Sequence, residues 1–203
     1  MKHEWKKYEA DIYSPKTAPQ LVEIPAYKYF MIQGKGNPND GDFAERVGVL
    51  FSLSWAVKML HKSANPPEGY YEYTVYPLEG IWMADNVKDK NSYSYTIMVR
   101  QPDFVTSEIA STVFEIVRKK KPHPLLEQAY FDTMEDELSL QILHVGDYDN
   151  EYISFKVLED YMRNNNLERK SEIHREIYLS DARKVDRNKL KTILRYSVRS
   201  KGM

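Results

Sequence analysis

The chain contains no cysteine. That single absence excludes disulfides, thiol nucleophiles and thiolate metal sites. It also lacks an excess of charge of either sign: the formal net charge is -1, so no overall field favours nucleic acid or an anionic membrane. Long apolar runs are missing as well. The longest, Val47 to Val57, is flanked by Arg46 and Lys58 and covers about half a membrane span. The first residues, MKHEWKKYEADIYSPK, have no apolar core of the kind a signal peptide carries. These gaps lead to the expectation of a cytoplasmic protein with no nucleic-acid or membrane partner.

Several chemical motifs are missing too. Gly34-Lys35-Gly36-Asn37-Pro38-Asn39 begins like a dinucleotide fingerprint but has no third glycine. Gly36 to Gly41 has phosphate-loop spacing, yet Asp42 stands where lysine belongs. An anion there would also meet Asp40 and Asp42. No Gly-x-Ser-x-Gly elbow occurs, which argues against a hydrolase-type serine. No His-Glu-x-x-His occurs, and His144 and His174, the histidines on candidate pocket strands, make a poor metal site by themselves. No cofactor and no metal are expected.

What is present is a packed-core composition, 42% hydrophobic and 29% charged, with 16 tyrosines in 203 residues. Phenol rings pair an apolar body with a polar tip, which suits binding surfaces; strand propensity is the plainer reason to find them. The densest chemistry lies in SEIHREIYLS, Ser171 to Ser180. Strand alternation puts Ile173, Ile177 and Leu179 on one side, and Glu172, His174, Glu176 and Tyr178 on the other. At roughly 3.3 Å per residue, Glu172 and Glu176 are about 13 Å apart, beyond the separation of paired glycosidase carboxylates. Glu176 lies roughly 7 Å along the strand from His174 and from Tyr178, which leaves room for a water or ligand between them unless the side chains lean together. A carboxylate half-buried among rings has a raised pKa and can act as a general base toward water or as counter-ion to a cation. The plainer alternative is that Glu176 pairs with Arg175, Arg183 or Lys184 at a sheet surface.

One unit appears twice. AYKYFMIQGKG reads as a strand, with a helix from Asp42, as N-cap with Glu45 in capping-box spacing, to about Lys62. Strands follow at YYEYTVYP, Leu78 to Met83, and YSYTIMVRQ. The second copy opens with LSLQILHVGDY and continues as a helix from about Glu151 to Asn164, with Ile153, Val157 and Tyr161 beside Leu158 and Met162. SEIHREIYLS and KLKTILRYSV complete it. Gly36 and Gly146 fall between first strand and helix in each copy, and Gly80-Ile81-Trp82 aligns with Glu176-Ile177-Tyr178. We expect one domain over 1–203: an N-terminal arm over 1–24, a first repeat over 25–105, a connector over 106–137 with a helix capped at Thr106 or Ser107, and a second repeat over 138–203. The arm is too short for a helix-turn-helix module.

Four segments then carry a resemblance: GKGNPND at Gly34–Asp40, YTVYPLEGIWM at Tyr73–Met83, QILHVGDYDNE at Gln141–Glu151, and HREIYLSDARKV at His174–Val185 followed by KLKTILRY. From about Pro25 to Val198 the chain resembles the GyrI-like (gyrase-inhibitor-like) small-molecule-binding family in its free-standing form. The resemblance implies an α+β fold: two strand–helix–strand–strand repeats in a joint antiparallel sheet, helices on one face and a ligand cleft on the other, between the repeats. It implies a bulky aromatic or cationic small-molecule partner. It also implies, through relatives that open cyclopropane rings of DNA-alkylating natural products, a hydrolase in which the glutamate matching Glu176 activates water. Trp82 stands where the family places a pocket tryptophan, and Met83 where many relatives have a second aromatic. On this reading Glu176 and Tyr178 are catalytic, the phenol donating to a carbonyl as charge develops. Trp82, Tyr71 and Tyr73 are ring walls, and His144, Tyr148 and His174 bind ligand. A ligand sensor or sequestering protein without catalysis fits the same cleft, and a partner-binding scaffold fits an ordinary wet sheet face.

Overall fold

Turn residues and alternating runs divide the chain into a mixed α+β arrangement. The computed structural model describes residues 2–84 and 89–202. In chain order its regular elements are α1 (Trp5–Tyr8), α2 (Ala10–Tyr13), β1 (Gln20–Ile24), β2 (Tyr27–Lys35), α3 (Gly41–Met59), β3 (Leu78–Ala84), β4 (Tyr93–Gln101), α4 (Ser107–Lys120), β5 (Ala129–Met134), β6 (Glu137–Val145), α5 (Glu151–Asn164), β7 (Leu167–Arg169), β8 (His174–Tyr178) and β9 (Lys191–Ser200). Two compact units share them. The first comprises Met1–Trp5, Tyr27–Leu78 and Ala84–Met134; the second comprises Lys6–Ala26, Glu79–Met83 and Glu135–Met203.

In the first unit β2 is flanked by β4 and β5, both antiparallel, with Phe30 opposite Val99 on one side and Phe131 on the other. Tyr29, Phe30, Met31 and Ile32 are all buried, so β2 is covered on both faces. Leu50, Leu53 and Val57 form the buried stripe of α3. The N-terminus of α3 departs from the expected capping box. Asp40 occupies the cap position without a side-chain cap bond, while Asp42 sits in the first turn and pairs with Arg46 at 2.7 Å, an i,i+4 ion pair where acids favour the helix dipole. For α4 the expectation holds: Thr106 caps it, accepting from the Ile109 N–H at 3.3 Å. Residues 70–77 form no strand. A single bridge joins Tyr73 to His3, and the tyrosines there are held by ring packing instead.

In the second unit the hydrogen-bonded order is β1-β6-β9-β8-β3, with β7 paired to the far end of β9. The register puts Glu176, Leu194 and Ile142 in one row and Tyr178, Thr192 and His144 in the next. Leu194 and Ile142 belong to a core that includes Leu140, Tyr196 and Val198, closed by Leu158 and Met162 of α5. Glu176 and Tyr178 therefore stand on the face of this sheet that α5 covers.

The duplication shows in matching backbone details. Gly36 and Gly146 both adopt positive φ, 113° and 144°, a region that glycine enters without steric cost. Each donates its N–H to a carbonyl at the start of its unit's last repeat strand, Tyr93 for Gly36 and Leu190 for Gly146. No helix among the described residues is long and apolar enough to cross a membrane.

Candidate functional site

Three side chains of β8 converge because alternation places them on one face and their tips lean together. The Tyr178 hydroxyl donates to Glu176 Oε2 at 2.7 Å. His174 Nε2 lies 3.0 Å from Glu176 Oε1. The space read between these groups along the strand is closed by direct hydrogen bonds. The indole N–H of Trp82, one strand over, donates to the Tyr178 oxygen at 2.9 Å. Gly80 makes room for that indole: a Cβ there would stand 2.6 Å from Trp82 Nε1. A donor chain from Trp82 through Tyr178 thus ends on Glu176, which is 9% exposed.

The surface-pairing alternative for Glu176 is not what forms. Arg183 and Lys184 both pair with Asp181. Arg175 points to the opposite face, where it bonds Glu79 at 2.8 Å and Asp136 at 2.7 Å. On that face Arg195 bonds Gln141, and residues of α2 lie over the group: Gln141 donates to the Asp11 carbonyl, Arg195 to the Ile12 carbonyl, and Tyr13 to Glu79.

The start of α5 completes the site. Phe155 packs edge-on against the His174 ring at 4.9 Å and stacks on Tyr196 at 5.4 Å. Tyr148 meets Tyr178 edge-to-face at 5.9 Å. Glu151, only 7% exposed, comes within hydrogen-bonding reach of Glu176. Burial, reinforced by the charge of Glu176, pushes the Glu151 carboxyl up to about 10. Burial and then Glu176 likewise hold the Tyr178 phenol well above its ordinary value. Tyr148 is pushed up to about 12 by burial first and Glu151 second.

Of the expected residues, Glu176, Tyr178, His174, Trp82 and Tyr148 gather here. His144 is buried with both ring nitrogens engaged, Nδ1 at 2.9 Å from Ser154 Oγ and Nε2 at 3.1 Å from the Asp147 carbonyl. It ties the turn to α5. Tyr71 and Tyr73 lie in the first unit, packed with Phe104 at 5.5 and 6.2 Å; the Tyr73 ring is fully buried. A cavity of about 440 Å³ in that unit is lined by residues including Leu60, Pro67, Ile109 and Ile116, none of them an expected site residue.

Sequence reasoning missed Glu151. Its signal was the stripe 151, 155, 158, 162, the true inner face of α5. The expected stripe contained Ile153 and Val157, which are 53% and 40% exposed. An acid on the buried stripe of a helix marks it as more than a favourable first-turn charge.

Residues 17–198 match the model of the GyrI-like small molecule binding domain. The chain is similar to a hydrolase from Listeria innocua, at 32% identity over 98% of this chain and 100% of that one, with a TM-score of 0.91. It is as similar to a conserved protein of uncharacterised function from the same organism, at 32% identity, 97% and 100% coverage and a TM-score of 0.91. The EcmrR C-terminal domain shares the fold at 14% identity and a TM-score of 0.54, over 90% of this chain and 97% of that one. No curated protein matches.

Proposed function

The chain belongs to the GyrI-like small-molecule-binding family, and from that premise we propose that it binds a bulky aromatic or cationic small molecule against Trp82, Tyr148 and Tyr178 and hydrolyses a strained ring with Glu176 as base. The observation that carries this reading is the hydrogen-bonded series Trp82–Tyr178–Glu176–His174. It holds one carboxylate nearly out of water among rings, oriented on both oxygens. The similarity to a protein named a hydrolase supports catalysis. In the step, water oxygen bonds to a cyclopropane carbon conjugated to a carbonyl. The ring C–C bond breaks, and its electron pair moves onto the carbonyl oxygen. Glu176 takes the water proton, solvent protonates the enolate, and Glu176 returns its proton to solvent. Holding the substrate flat and aiming one water supplies the proximity term, and the base contributes about 10²–10⁴-fold.

A second reading, binding without turnover, has its own support. In the hydrogen bonds described, the Trp82 and Tyr178 donors are directed at Tyr178 and Glu176, not outward to a developing oxyanion. Glu176→Gln separates the two. Under the hydrolytic reading, kcat for a cyclopropyl-ketone substrate falls by about 10²–10⁴-fold while the melting curve stays cooperative. Unchanged turnover by the folded variant overturns the base assignment. Ligand-dependent stabilisation with no turnover by either protein selects the binding reading.

A further inference from the structure

The feature the mechanism leaves unused is the Glu151 carboxyl. Glu151 opens α5 and points inward to the sheet, and its Oε1 is buried with no hydrogen-bond partner. Its carboxyl meets that of Glu176. Two carboxylates cannot hydrogen-bond each other; the contact requires a proton on one of them. The groups around the pair decide which. Glu176 already receives the Tyr178 hydroxyl on one oxygen and faces His174 Nε2 with the other, whereas Glu151 Oε1 has no partner. Glu151 has around it Glu176 and Tyr178 from β8 and Asp147, Tyr148 and Asp149 from the preceding turn, none of them a cation. Arg187 pairs with Asp147 at 3.4 Å. An unpartnered oxygen is also less costly on a neutral acid than on an anion.

We propose that Glu151 and Glu176 hold one proton between them, carried by Glu151, and that this neutral acid is a positioning residue that leaves the pair one negative charge rather than two. The inference deepens the ligand-binding reading above and rests on it for its role. It sets the charge class of the guest: one fixed negative charge, walled by rings, matches an aromatic monocation. Ionising Glu151 as well doubles that charge and strengthens cation binding.

The test uses the whole chain with carbon-13 in the glutamate carboxyls and thioflavin T, a flat aromatic monocation, as probe. One carboxyl resonance, absent from Glu151→Gln, is expected to keep its protonated shift from about pH 5 to about pH 9, where ordinary glutamates are ionised. Glu151→Asp gives the same assignment should the glutamine variant not fold. In the wild type, thioflavin T affinity is expected to rise about tenfold as the pH climbs past that range, one pK unit of coupling, and to stay level in Glu151→Gln. A Glu151 resonance that titrates with the ordinary glutamates overturns the shared proton, whether or not the dye binds. A protonated resonance with no dye binding at any pH supports the pair and overturns the binding reading beneath it.

Discussion

Replacing Glu151 by glutamine is expected to stabilise the chain at neutral pH, although it removes a native carboxyl from the site. The unfolded chain releases this proton near the ordinary value of 4.5, whereas the folded chain keeps it to about 10. Within that window the native state binds more protons, so stability falls as pH rises, by up to about 1.4 kcal/mol per unit. At pH 7 the accumulated cost is about 3 kcal/mol. Glutamine stays neutral at every pH and its amide still donates to Glu176, so the cost vanishes without loss of the contact. Urea unfolding at a series of pH values should show two curves that coincide below about pH 4.5 and diverge steadily above it. At neutrality the variant should melt roughly 6–12 °C higher, at about 2–4 °C per kcal/mol for a chain of this size. Parallel curves from pH 5 to 9, or a less stable variant at neutral pH, refute the buried-acid argument.

Two further substitutions probe the surroundings. Gly80→Ala drives a Cβ into the Trp82 indole and should break its bond to Tyr178, at a cost of about 1–3 kcal/mol, with a shifted tryptophan emission maximum; an unaltered spectrum and melt would falsify the close-approach argument. Arg175→Ala strands Glu79, 1% exposed, and should cost about 3–5 kcal/mol. Adding Glu79→Gln should recover part of that loss, and strict additivity in the double variant rules out the buried pair.

Period-2 alternation and turn residues made most elements readable. LSLQILHV and YSYTIMVRQ fall within β6 and on β4, and α5 spans the expected residues. Residues 70–77 alternate like a strand, yet Tyr73 is buried against the Phe104 ring and Tyr76 under the Arg100 guanidinium rather than in a ladder; pattern alone does not separate these. On β8 the side carrying the acids was legible, but the contacts were not, because side-chain reach closes gaps that backbone spacing leaves open. Arg175 sits in a strand position that reads as apolar, and only Glu79 and Asp136, brought from far along the sequence, show why a cation belongs there. Glu151 was hidden because adjacent stripes on one helix compete, and Ile153 and Val157 made the outer stripe look apolar.

The bond between the Arg195 side chain and the Ile12 carbonyl spans 183 positions. Residues 27–78 and 84–134, lying between those two points, need nothing from beyond position 134 to make their own sheet. During synthesis that middle portion has its complete set of partners first, while the segment around Ile12 waits for β9 to emerge. A chain that stops before β9 keeps Arg175 for Glu79 but lacks Arg195, so Gln141 Oε1 and the Ile12 carbonyl lose that donor, and α2 and the last strand of the second unit depend on each other across nearly the whole sequence.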